Sequence, residues 1–459
     1  MSGRAHRYGS GAGKESVFWT FQRSIGFDHR LARYQLAIDR AWCTELRACG
    51  VLTSTESSRL RAALARLSHD LPSLRWTGDD EDVHGWLERL LTKRIGPLGG
   101  KVHTARSRND LVAACLRRYV MDQSKTLADA CGALALAFTR RARSETKTLL
   151  PAYTHLQRGQ PTTLAHHLCA YAEMFLRDRD RLRASRAEAD ASPLGCGAAT
   201  GTPYPIDRRR AARACGFSRV CGNSLDAVSD RDFALSFLGA CATAGTHLSR
   251  LGEEWVLWAS SEFGYLAIPP TLSTGSSIMP NKRNPDAPEL LRAKSARLAS
   301  AHARLLGVLK GLPFAYNKDL QEDKEPVFDA AETLSPALEV ARRLVEGARF
   351  DRGRMREAVE GSAGQILATE LADRLVALGL SFRDAHGRVS ALCDRLTNEG
   401  RSVRDLTDAE CRALHPRLSA RDARALTPLA AVERRRSEGG CSPIAVLARL
   451  ANLTRGLSR

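Results

Sequence analysis

The sequence predicts a mainly α-helical protein. Long stretches rich in Ala, Leu and Arg place apolar residues three and four positions apart, as in amphipathic helices, and few segments alternate in the manner of strands. The helices of the middle third extend over about thirty residues, which is longer than most globular helices. These observations favour an extended helical bundle over a compact globule.

Three helices show this pattern most clearly. One follows Thr163 and places its apolar residues on a single stripe, and another begins near Pro288 and ends in the region of Pro313. A third, from roughly Asp232 to Glu262, is apolar around most of its circumference. We therefore expect this third helix to be buried among other helices.

Glycine-rich breaks divide the chain into three consecutive regions. One break lies at 96–100 and another at 361–364. We expect an N-terminal helical domain at 1–105, a central long-helix bundle domain at 106–360 and a C-terminal helical domain at 361–459. The central domain contains most of the length.

The composition excludes several classes of protein. With 43% apolar and 26% charged residues over 459 positions, the chain is neither disordered nor collagen-like. A mean hydropathy of -0.29 and the lack of a long apolar run predict no transmembrane helix. Residues 1–13 lack the apolar stretch of a secretory signal, so we expect a cytoplasmic protein. Twelve Cys without a CxxC pair or a metal-ligand spacing indicate buried thiols rather than disulfides, and no metal site.

The chain is strongly basic, with 69 Lys and Arg against 51 Asp and Glu and a net charge of +18. Such a charge could attract nucleic acid, a membrane surface or a small polyanionic substrate. The basic residues are interspersed with acidic ones, and the densest runs, 208–210 and 434–436, are short. We therefore interpret most of the excess as solvated surface and predict neither nucleic-acid nor membrane binding.

Four polar segments interrupt the helices and carry chemically active side chains. The first, "KVHTARSRND" at 101–110, contains Arg106 and Arg108, whose guanidinium groups could hold carboxylates. Ser107 or Asn109 could cap a helix that begins near Leu111. A helix cap alone would explain this segment equally well.

The second segment, "YTHLQRGQPTT" at 153–163, places His155 in a polar loop before a strong helix. A histidine there could transfer protons near neutral pH. An isolated loop histidine is more often merely exposed, so this segment alone does not establish a site.

The third segment, "STGSSIMPNKRNPDAPE" at 273–289, is the most specific. Gly275 makes a flexible loop whose backbone amides can point at an anion, and Ser276 could transfer a proton if its alkoxide is stabilised there. Lys282 supplies a point charge for a carboxylate, and Glu289 could polarise a nearby histidine. A surface turn would explain the turn residues but not the density of donors and charges.

The fourth segment, "YNKDLQEDKE" at 316–325, places Gln321 and Lys324 on one helix face, with Tyr316 one turn or loop earlier. A solvated charge run is the simpler interpretation. The uncharged Tyr, Asn and Gln in between favour recognition of a small molecule instead.

Together these segments resemble the argininosuccinate lyases of the fumarase/aspartase superfamily. The likeness extends through most of the chain and includes "SIGFDHRL" (24–31), "EDVH" (81–84), "SPLGCGAATGT" (192–202) and "NSLDAVSDRD" (223–232). The pattern "GSSIMPNKRNP" alone is typical of the whole superfamily. The segments "HTARSRND" and "AYNKDLQEDKE" indicate the argininosuccinate lyase family more narrowly.

The resemblance implies the fold, the assembly and the reaction. It implies a three-domain subunit whose long central bundle assembles into the helical core of a homotetramer, with active sites shared where three subunits meet. The implied reaction is the reversible β-elimination of argininosuccinate to L-arginine and fumarate in arginine biosynthesis, without a cofactor or metal.

The resemblance also implies roles for individual residues. Ser276 is the proton-abstracting group, activated by backbone amides and by Lys282. His155 is the second proton-transfer residue, oriented by Glu289, and which of Ser276 and His155 is formally the base stays open. Substrate contacts are expected from Ser24, Arg108, Asn109, Thr154, Tyr316, Gln321 and Lys324.

The sequence departs from the family pattern mainly near its first helix and its first polar segment. "SGRAHRYG" stands in place of a Trp-Gly-Gly-Arg-Phe-like opening, and the stretch from Gln35 to Asp39 in place of Asp-Ile-x-Gly-Ser. Ala105, Leu111 and Asn281 replace a usual Gly, Gln and Gln. These positions lie where the leaving-group half of the substrate could be read, so fumarate is better supported as a product than arginine.

Two other functions stay open. A sister lyase could apply the same chemistry to another N-succinyl adduct in a specialised pathway, although the segment at 316–325 argues against adenylosuccinate. The chain could instead be a non-catalytic protein on this fold, in the manner of the lens crystallins. The presence of Ser276, His155, Lys282 and Glu289 favours an active enzyme.

Overall fold

The computed structural model describes residues 17–361 and 365–457, so the segment at 1–13 and most of the break at 361–364 lie outside the described residues. Helices dominate the described residues, and the strands are few and short, as predicted. None of the described helices has the length and apolar character needed to cross a membrane. All twelve cysteines are free and nine are buried, which confirms the predicted thiols. Within the described residues, no group of three or more His, Cys, Asp or Glu side chains could hold a metal ion.

The chain begins with a set of shorter helices: α1 (Val17–Gln22), α2 (Ile25–Asp28), α3 (Ala32–Ala48), α4 (Ser54–Asp70) and α5 (Val83–Ile95). Single 3₁₀ turns occupy His29–Leu31, Leu71–Ser73 and Gly96–His103. Helices α3 and α4 pack against each other through apolar side chains that are fully buried, among them Leu36, Trp42, Leu60 and Leu67. Burial of each such side chain contributes roughly 1.5–3 kcal/mol.

The middle of the chain contains α6 (Arg108–Arg143), α7 (Leu164–Ala189), α8 (Arg208–Ala214), α9 (Ser224–Ser229), α10 (Asp232–Ala259), α11 (Asp286–Leu309) and α12 (Lys324–Gly347). Helices α6, α7, α10, α11 and α12 are 36, 26, 28, 24 and 24 residues long, which confirms the predicted long helices. Helix α10 buries Phe233, Phe237, Leu251 and Trp255, as its apolar circumference predicts. Two 3₁₀ turns, Pro270–Leu272 and Lys318–Asp323, precede α11 and α12.

Helix α6 begins at Arg108, earlier than the predicted start near Leu111. Ser107 caps it, because the Ser107 hydroxyl accepts the backbone N–H of Asn109 (3.2 Å). The carboxylate of Asp110 accepts the backbone N–H of Ser107 in return (3.1 Å). The two reciprocal bonds stabilise the first turn, so it is helical.

The remaining helices are α13 (Arg352–Glu360), α14 (Ala368–Ala377), α15 (Phe382–Asn398), α16 (Asp408–Leu414), α17 (Ala420–Ala425), α18 (Pro428–Arg434) and α19 (Pro443–Leu457), with 3₁₀ turns at Gln365–Leu367 and Val403–Asp405. Helices α13 to α18 share one apolar core, in which Leu371 and Leu375 of α14 pack with Val389, Leu392 and Leu396 of α15. Side-chain caps at Ser381, Thr407 and Ser419 fix three helix starts.

The segment at 153–163 is not the polar loop that the sequence analysis expects. Strand β1 (Leu149–Thr154) pairs antiparallel with β2 (Gln157–Thr163), and only the two residues between them form a turn. The prediction was wrong because the exposed half of β2 is polar throughout and lacks the alternation of a half-buried strand. The other strands are two-residue bridges, in which β3 (Ala191–Ser192) pairs with β4 (Arg219–Val220), β5 (Leu266–Ala267) with β8 (Arg349–Phe350) and β6 (Thr274–Gly275) with β7 (Arg283–Asn284).

The chain divides into two compact units that are discontinuous in sequence. Unit 1 comprises Met1–Ala128, Asp180–Thr243 and Arg297–Leu334, and unit 2 comprises Asp129–Arg179, Ala244–Ala296 and Ser335–Arg459. The five long helices each contribute residues to both units. The division into domains at 1–105, 106–360 and 361–459 stays a prediction.

Candidate active site

Ser276 lies in the loop between β6 and β7, which pair as a hairpin in unit 2. Its Oγ accepts hydrogen bonds from the backbone N–H groups of Ile278 (3.3 Å) and Met279 (3.0 Å). Two amide dipoles aimed at one oxygen stabilise negative charge on that oxygen. The loop therefore supplies the backbone donors that an alkoxide at Ser276 requires.

Lys282 lies on the same loop as Ser276. Its backbone N–H donates to the carbonyl of Met279 (3.0 Å), which closes the turn that holds the Ser276 hydroxyl. The side chain is exposed, and in the described part of the chain its ammonium group has no hydrogen-bond or ion-pair partner. Lys282 thus presents an uncommitted positive charge on the serine loop.

His155 lies at the tip of the β1–β2 hairpin, in unit 2. Thr154 pairs with Gln157 across the turn, and the two turn residues are His155 (φ 54°) and Leu156 (φ 57°). Two successive positive φ angles are typical of a type I′ turn, in which Asn and Gly are usual. Leu156 is 68% exposed, so burial does not hold it in this strained conformation. Strained backbone conformations are concentrated at functional sites, so the strained turn is consistent with a functional role for His155.

Glu289 lies in the first turn of α11 and is exposed, as is Thr154 at the end of β1. Among residues 17–361 and 365–457, neither the His155 side chain nor the Glu289 side chain has a hydrogen-bond or ion-pair partner. A single subunit therefore does not form the expected contact between them, and their pairing stays a prediction.

Three of the residues expected to contact substrate, Ser24, Arg108 and Lys324, lie in one polar cluster of unit 1. The cluster also contains Asp28, Asp82 and His84. Ser24 is 4% exposed, and its hydroxyl donates to Asp28 Oδ2 (2.6 Å). The other oxygen, Asp28 Oδ1, accepts the backbone N–H of Val83 (3.0 Å). Burial raises the pKa of the Asp28 carboxyl to about 7, against the opposing effects of Ser24 and Lys324.

Arg108 and Asp82 form the half-exposed side of this cluster. Arg108 Nη1 donates to Asp82 Oδ2 (3.2 Å), and Asp82 Oδ1 accepts the backbone N–H of Gly85 (2.7 Å), so Asp82 also caps α5. Burial alone would raise the pKa of Asp82, but the neighbouring His84, then Arg108 and the Gly85 amide, hold it below its ordinary value. Asp82 is therefore an anion at neutral pH and orients the Arg108 guanidinium group.

Lys324 is the first residue of α12 and is 3% exposed. Its Nζ donates to Asp323 Oδ1 (2.7 Å) and to the carbonyl of Leu320 (3.2 Å), while Arg231 donates to the other oxygen of Asp323. Burial, together with the charge of Asp323, raises the pKa of the nearby Tyr316 phenol to about 12. Tyr316 is therefore a neutral hydrogen-bond donor in the physiological range.

The side-chain amides of Gln321 and Asn109 each donate a hydrogen bond to a backbone carbonyl. Gln321 Nε2 donates to the carbonyl of Gln22 (3.1 Å), two residues before Ser24, and Asn109 Nδ2 donates to the carbonyl of Ala198 (3.2 Å). The neighbour of Asn109, Asp110, is fully buried and accepts backbone N–H groups at Gly195 (3.1 Å) and Gly197 (2.9 Å). These bonds tie the start of α6 to the glycine-rich loop after β3.

The structure thus brings Ser24, Arg108 and Lys324 into one cluster, with Tyr316 beside Asp323, and places Ser276 and Lys282 on one loop. Sequence reasoning missed three residues of this cluster, the buried Asp28 and His84 and the partly exposed Asp82, and also missed the buried Asp110 beside Asn109. Asp28 and His84 fall within "SIGFDHRL" and "EDVH", segments that the resemblance already marks. Attention to every titratable residue in those segments would have found them.

Known proteins resemble this chain over most of its length. A family model described as lyase matches residues 12–299, and a model of the argininosuccinate lyase C-terminal region matches residues 365–433. The argininosuccinate lyase of Thermus thermophilus is 46% identical over 445 residues, which is 96% of either chain. The chain belongs to the argininosuccinate lyase family.

Another family member, from Crocosphaera subtropica, is 44% identical over 423 residues, covering 92% of this chain and 91% of that one. Among solved structures, an EDDS lyase variant with bound fumarate superposes with a TM-score of 0.85 at 26% identity, over 96% of this chain and 88% of that chain. These findings confirm the resemblance to the family and the mainly α fold.

Proposed function

We propose that this chain catalyses the reversible β-elimination of argininosuccinate to L-arginine and fumarate. The identity to argininosuccinate lyases over nearly the whole chain supports the substrate. The observation that carries the chemistry is the Ser276 hydroxyl with its two backbone N–H donors, because this geometry lowers the free energy of the alkoxide that removes a proton.

The reaction requires two proton transfers. A base removes a proton from the carbon next to a succinyl carboxylate, and the resulting doubly negative aci-carboxylate is stabilised by nearby donors and cations. The C–N bond then breaks, its electron pair leaves with the guanidino nitrogen, and an acid protonates that nitrogen while the C=C bond of fumarate forms. We assign these transfers to Ser276 and His155, the stabilising charge to Lys282 and the orientation of His155 to Glu289.

Substrate binding is assigned to the predicted contact residues Ser24, Arg108, Asn109, Thr154, Tyr316, Gln321 and Lys324. Arg108 and Asn109 are accessible at the start of α6, while Ser24 and Lys324 act from the cluster interior. Closure of the Ser276 loop over bound substrate would exclude water and strengthen the fixed charges.

A homotetramer in the cytoplasm, with active sites shared between subunits, is part of this proposal. His155 and Glu289 are exposed and unpaired in the described part of one chain, which is the arrangement expected of groups that meet residues of another subunit. Size-exclusion chromatography with light scattering tests the assembly. A monomer that turns over argininosuccinate would contradict the shared site.

The reaction is tested by adding argininosuccinate to the purified protein and following fumarate absorbance. We expect saturable fumarate release together with stoichiometric arginine. No fumarate at millimolar substrate would reject the proposed substrate.

A sister activity on another N-succinyl adduct is the second candidate. The replacement of the usual Asp-Ile-x-Gly-Ser stretch by Gln35 to Asp39 beside the cluster favours it, as does the likeness to EDDS lyase. Parallel assays with adenylosuccinate and ethylenediamine disuccinate compare the two candidates. A higher kcat/KM with either compound than with argininosuccinate would favour the sister activity.

A further inference from the structure

A series of buried side chains links α3 to the histidine of "EDVH". Arg106 donates to Asp39 Oδ1, and Asp39 Oδ2 accepts from the Gln35 amide Nε2 (3.5 Å). Gln35 Oε1 in turn contacts His84 Nδ1 (2.8 Å). All four side chains belong to unit 1 and are at most 8% exposed, so water does not compete for these contacts.

Each group in this series determines whether the next group donates or accepts the hydrogen bond between them. Asp39 is the ion-pair partner of Arg106, and a carboxylate only accepts hydrogen bonds, so it faces the NH₂ group of Gln35. The reverse orientation of the amide would place two acceptors against each other. The amide oxygen of Gln35 therefore faces His84, and because that oxygen also only accepts, the imidazole carries its proton on Nδ1.

The second ring nitrogen, His84 Nε2, is then an acceptor. It is buried and has no hydrogen-bond partner in the described part of the chain, and the same is true of Arg106 Nε and Nη1. His84, Arg106 and Arg108 line a common pocket of about 10 Å³. A pocket of this size is about large enough for one water molecule, which could donate to Nε2.

Positive charge surrounds the His84 ring. The charged groups that face it are Asp82 before α5, Arg106 and Arg108 at the start of α6, and Lys324 at the start of α12. Burial is the main reason that the pKa of His84 falls to about 4, and the three cations lower it further against the effect of Asp82. The electrostatic surroundings and the hydrogen-bond geometry therefore favour the same neutral form.

We propose that Gln35 is a positioning residue of this site, which holds His84 as a neutral imidazole protonated on Nδ1. The inference rests on the proposed function and deepens it. A charged imidazolium would compete with Arg108 for the Asp82 carboxylate, whereas a neutral ring leaves Arg108 oriented toward the substrate.

Gln35→Glu tests this role. A carboxylate opposite Nδ1 favours the imidazolium and raises a histidine pKa by about 1–3 units, into the range of the assay. We expect the KM for argininosuccinate to change about threefold or more between pH 6 and 8 in the variant and to stay flat in the wild type, with kcat changing less. Gln123→Glu makes the same charge change on α6, away from the series, and should keep the flat profile. Identical profiles for the two variants overturn the proposal.

Gln35→Met separates the hydrogen bond from the charge. It keeps a similar volume but cannot fix the tautomer, so we expect a higher KM at every pH without a new ionisation. A KM equal to that of the wild type would show that the amide has no positioning role.

A measurement without turnover distinguishes this proposal from the proposed function. The folded pKa of His84 lies below the unfolded value, so the wild-type free energy of unfolding falls as the pH decreases from about 6.5 toward 4. Gln35→Glu should reduce this fall relative to Gln123→Glu in denaturant unfolding. An unchanged slope overturns the role of Gln35, whereas a reduced slope in a protein that releases no fumarate supports it and rejects only the proposed substrate.

Discussion

The candidate site residues of unit 1 and unit 2 differ in whether their side chains find hydrogen-bond partners within one subunit. In unit 1, Ser24 and Lys324 are buried and hydrogen-bonded to Asp28 and Asp323. In unit 2, the side chains of His155, Lys282 and Glu289 are exposed and have no hydrogen-bond or ion-pair partner within the described residues. This contrast is the one expected if the residues proposed to bind substrate are ordered within one chain and the residues proposed to transfer protons are paired in the proposed assembly.

The largest effect should come from the unit 2 loops. Ser276→Ala and His155→Asn should each lower kcat by about 10²–10⁴-fold, because each removes a proton-transfer group. Both residues lie on exposed turns, so the free energy of unfolding and the oligomeric state should not change. Fumarate absorbance and size-exclusion chromatography measure the two properties.

Ser277→Ala is the matched control, since Ser277 is the exposed neighbour of Ser276 and its side chain donates to no backbone or side-chain group in the described residues. It should retain most of the activity. Near-wild-type turnover in Ser276→Ala or His155→Asn would remove that residue from the mechanism and weaken the contrast between the units.

The same substitution in both units should have different consequences. Lys324→Met leaves Asp323 with only Arg231 as its charged partner and should lower the free energy of unfolding by about 1–3 kcal/mol, in addition to raising KM. Lys282→Met removes an exposed charge and should affect turnover without a measurable change in stability. Urea unfolding compares the two variants, and equal stabilities would show that Lys324 is not part of a buried network.

The contributions of Asp28 in unit 1 and Asp286 in unit 2 to the free energy of unfolding should change with pH in opposite directions. The raised pKa of Asp28 means that ionisation destabilises the fold as the pH rises from about 4 through 7, so Asp28→Asn should gain stability relative to the wild type over that range. The backbone N–H of Thr274 lowers the pKa of Asp286 at the start of α11, so the contribution of this carboxylate to stability is present at neutral pH and is lost in acid. Asp286→Asn should therefore lose stability at pH 7 but not near pH 3.

Thermal unfolding between pH 3 and 8 follows both variants against the wild type. A parallel pH dependence for Asp28→Asn and Asp286→Asn would contradict the assignment of one carboxyl as buried and the other as hydrogen-bonded at the surface.

The smallest effects concern strained backbone. Ala105 (φ 68°) in unit 1 and Leu156 in unit 2 occupy the left-handed region, which glycine adopts without strain. Ala105→Gly and Leu156→Gly should each stabilise the protein by about 0.5–1 kcal/mol. If Leu156→Gly also lowers turnover and Ala105→Gly does not, the conformation of the hairpin turn is needed to position His155. Calorimetry and the fumarate assay measure the two effects.

Much of the fold follows from local sequence. The long helices show the 3.6-residue period over many turns, and their starts at Leu164, Asp232 and Asp286 lie close to the predicted ones. The β1–β2 hairpin was not predicted from local sequence, because His155 and Leu156 occupy the turn positions where Asn and Gly are usual. A turn that departs from the usual residues leaves no local signal.

The sequence predicted the segments that carry the candidate site residues but not the hydrogen bonds that join those segments. Motifs identified Ser24 and Arg108, but Asp28 and Asp82 were missed, because the bonds from Arg108 to Asp82 and from Val83 to Asp28 join residues 26 and 55 positions apart. Contacts over such separations depend on the packing of α2 against the start of α5 and not on spacing. The predicted pairing of His155 with Glu289 involves side chains that are not in contact within one chain, so it stays a prediction.

The Ser276 loop also carries Ile278, whose side chain is 86% exposed. If the loop closes over substrate and covers this side chain, the transfer of Ile278 out of water contributes about 2 kcal/mol to closure, or roughly a thirtyfold shift toward the closed form. This driving force arises mainly from the release of ordered water and weakens on cooling. The fraction of productive closures should then fall at low temperature, and an Arrhenius plot of turnover should curve downward on its cold side.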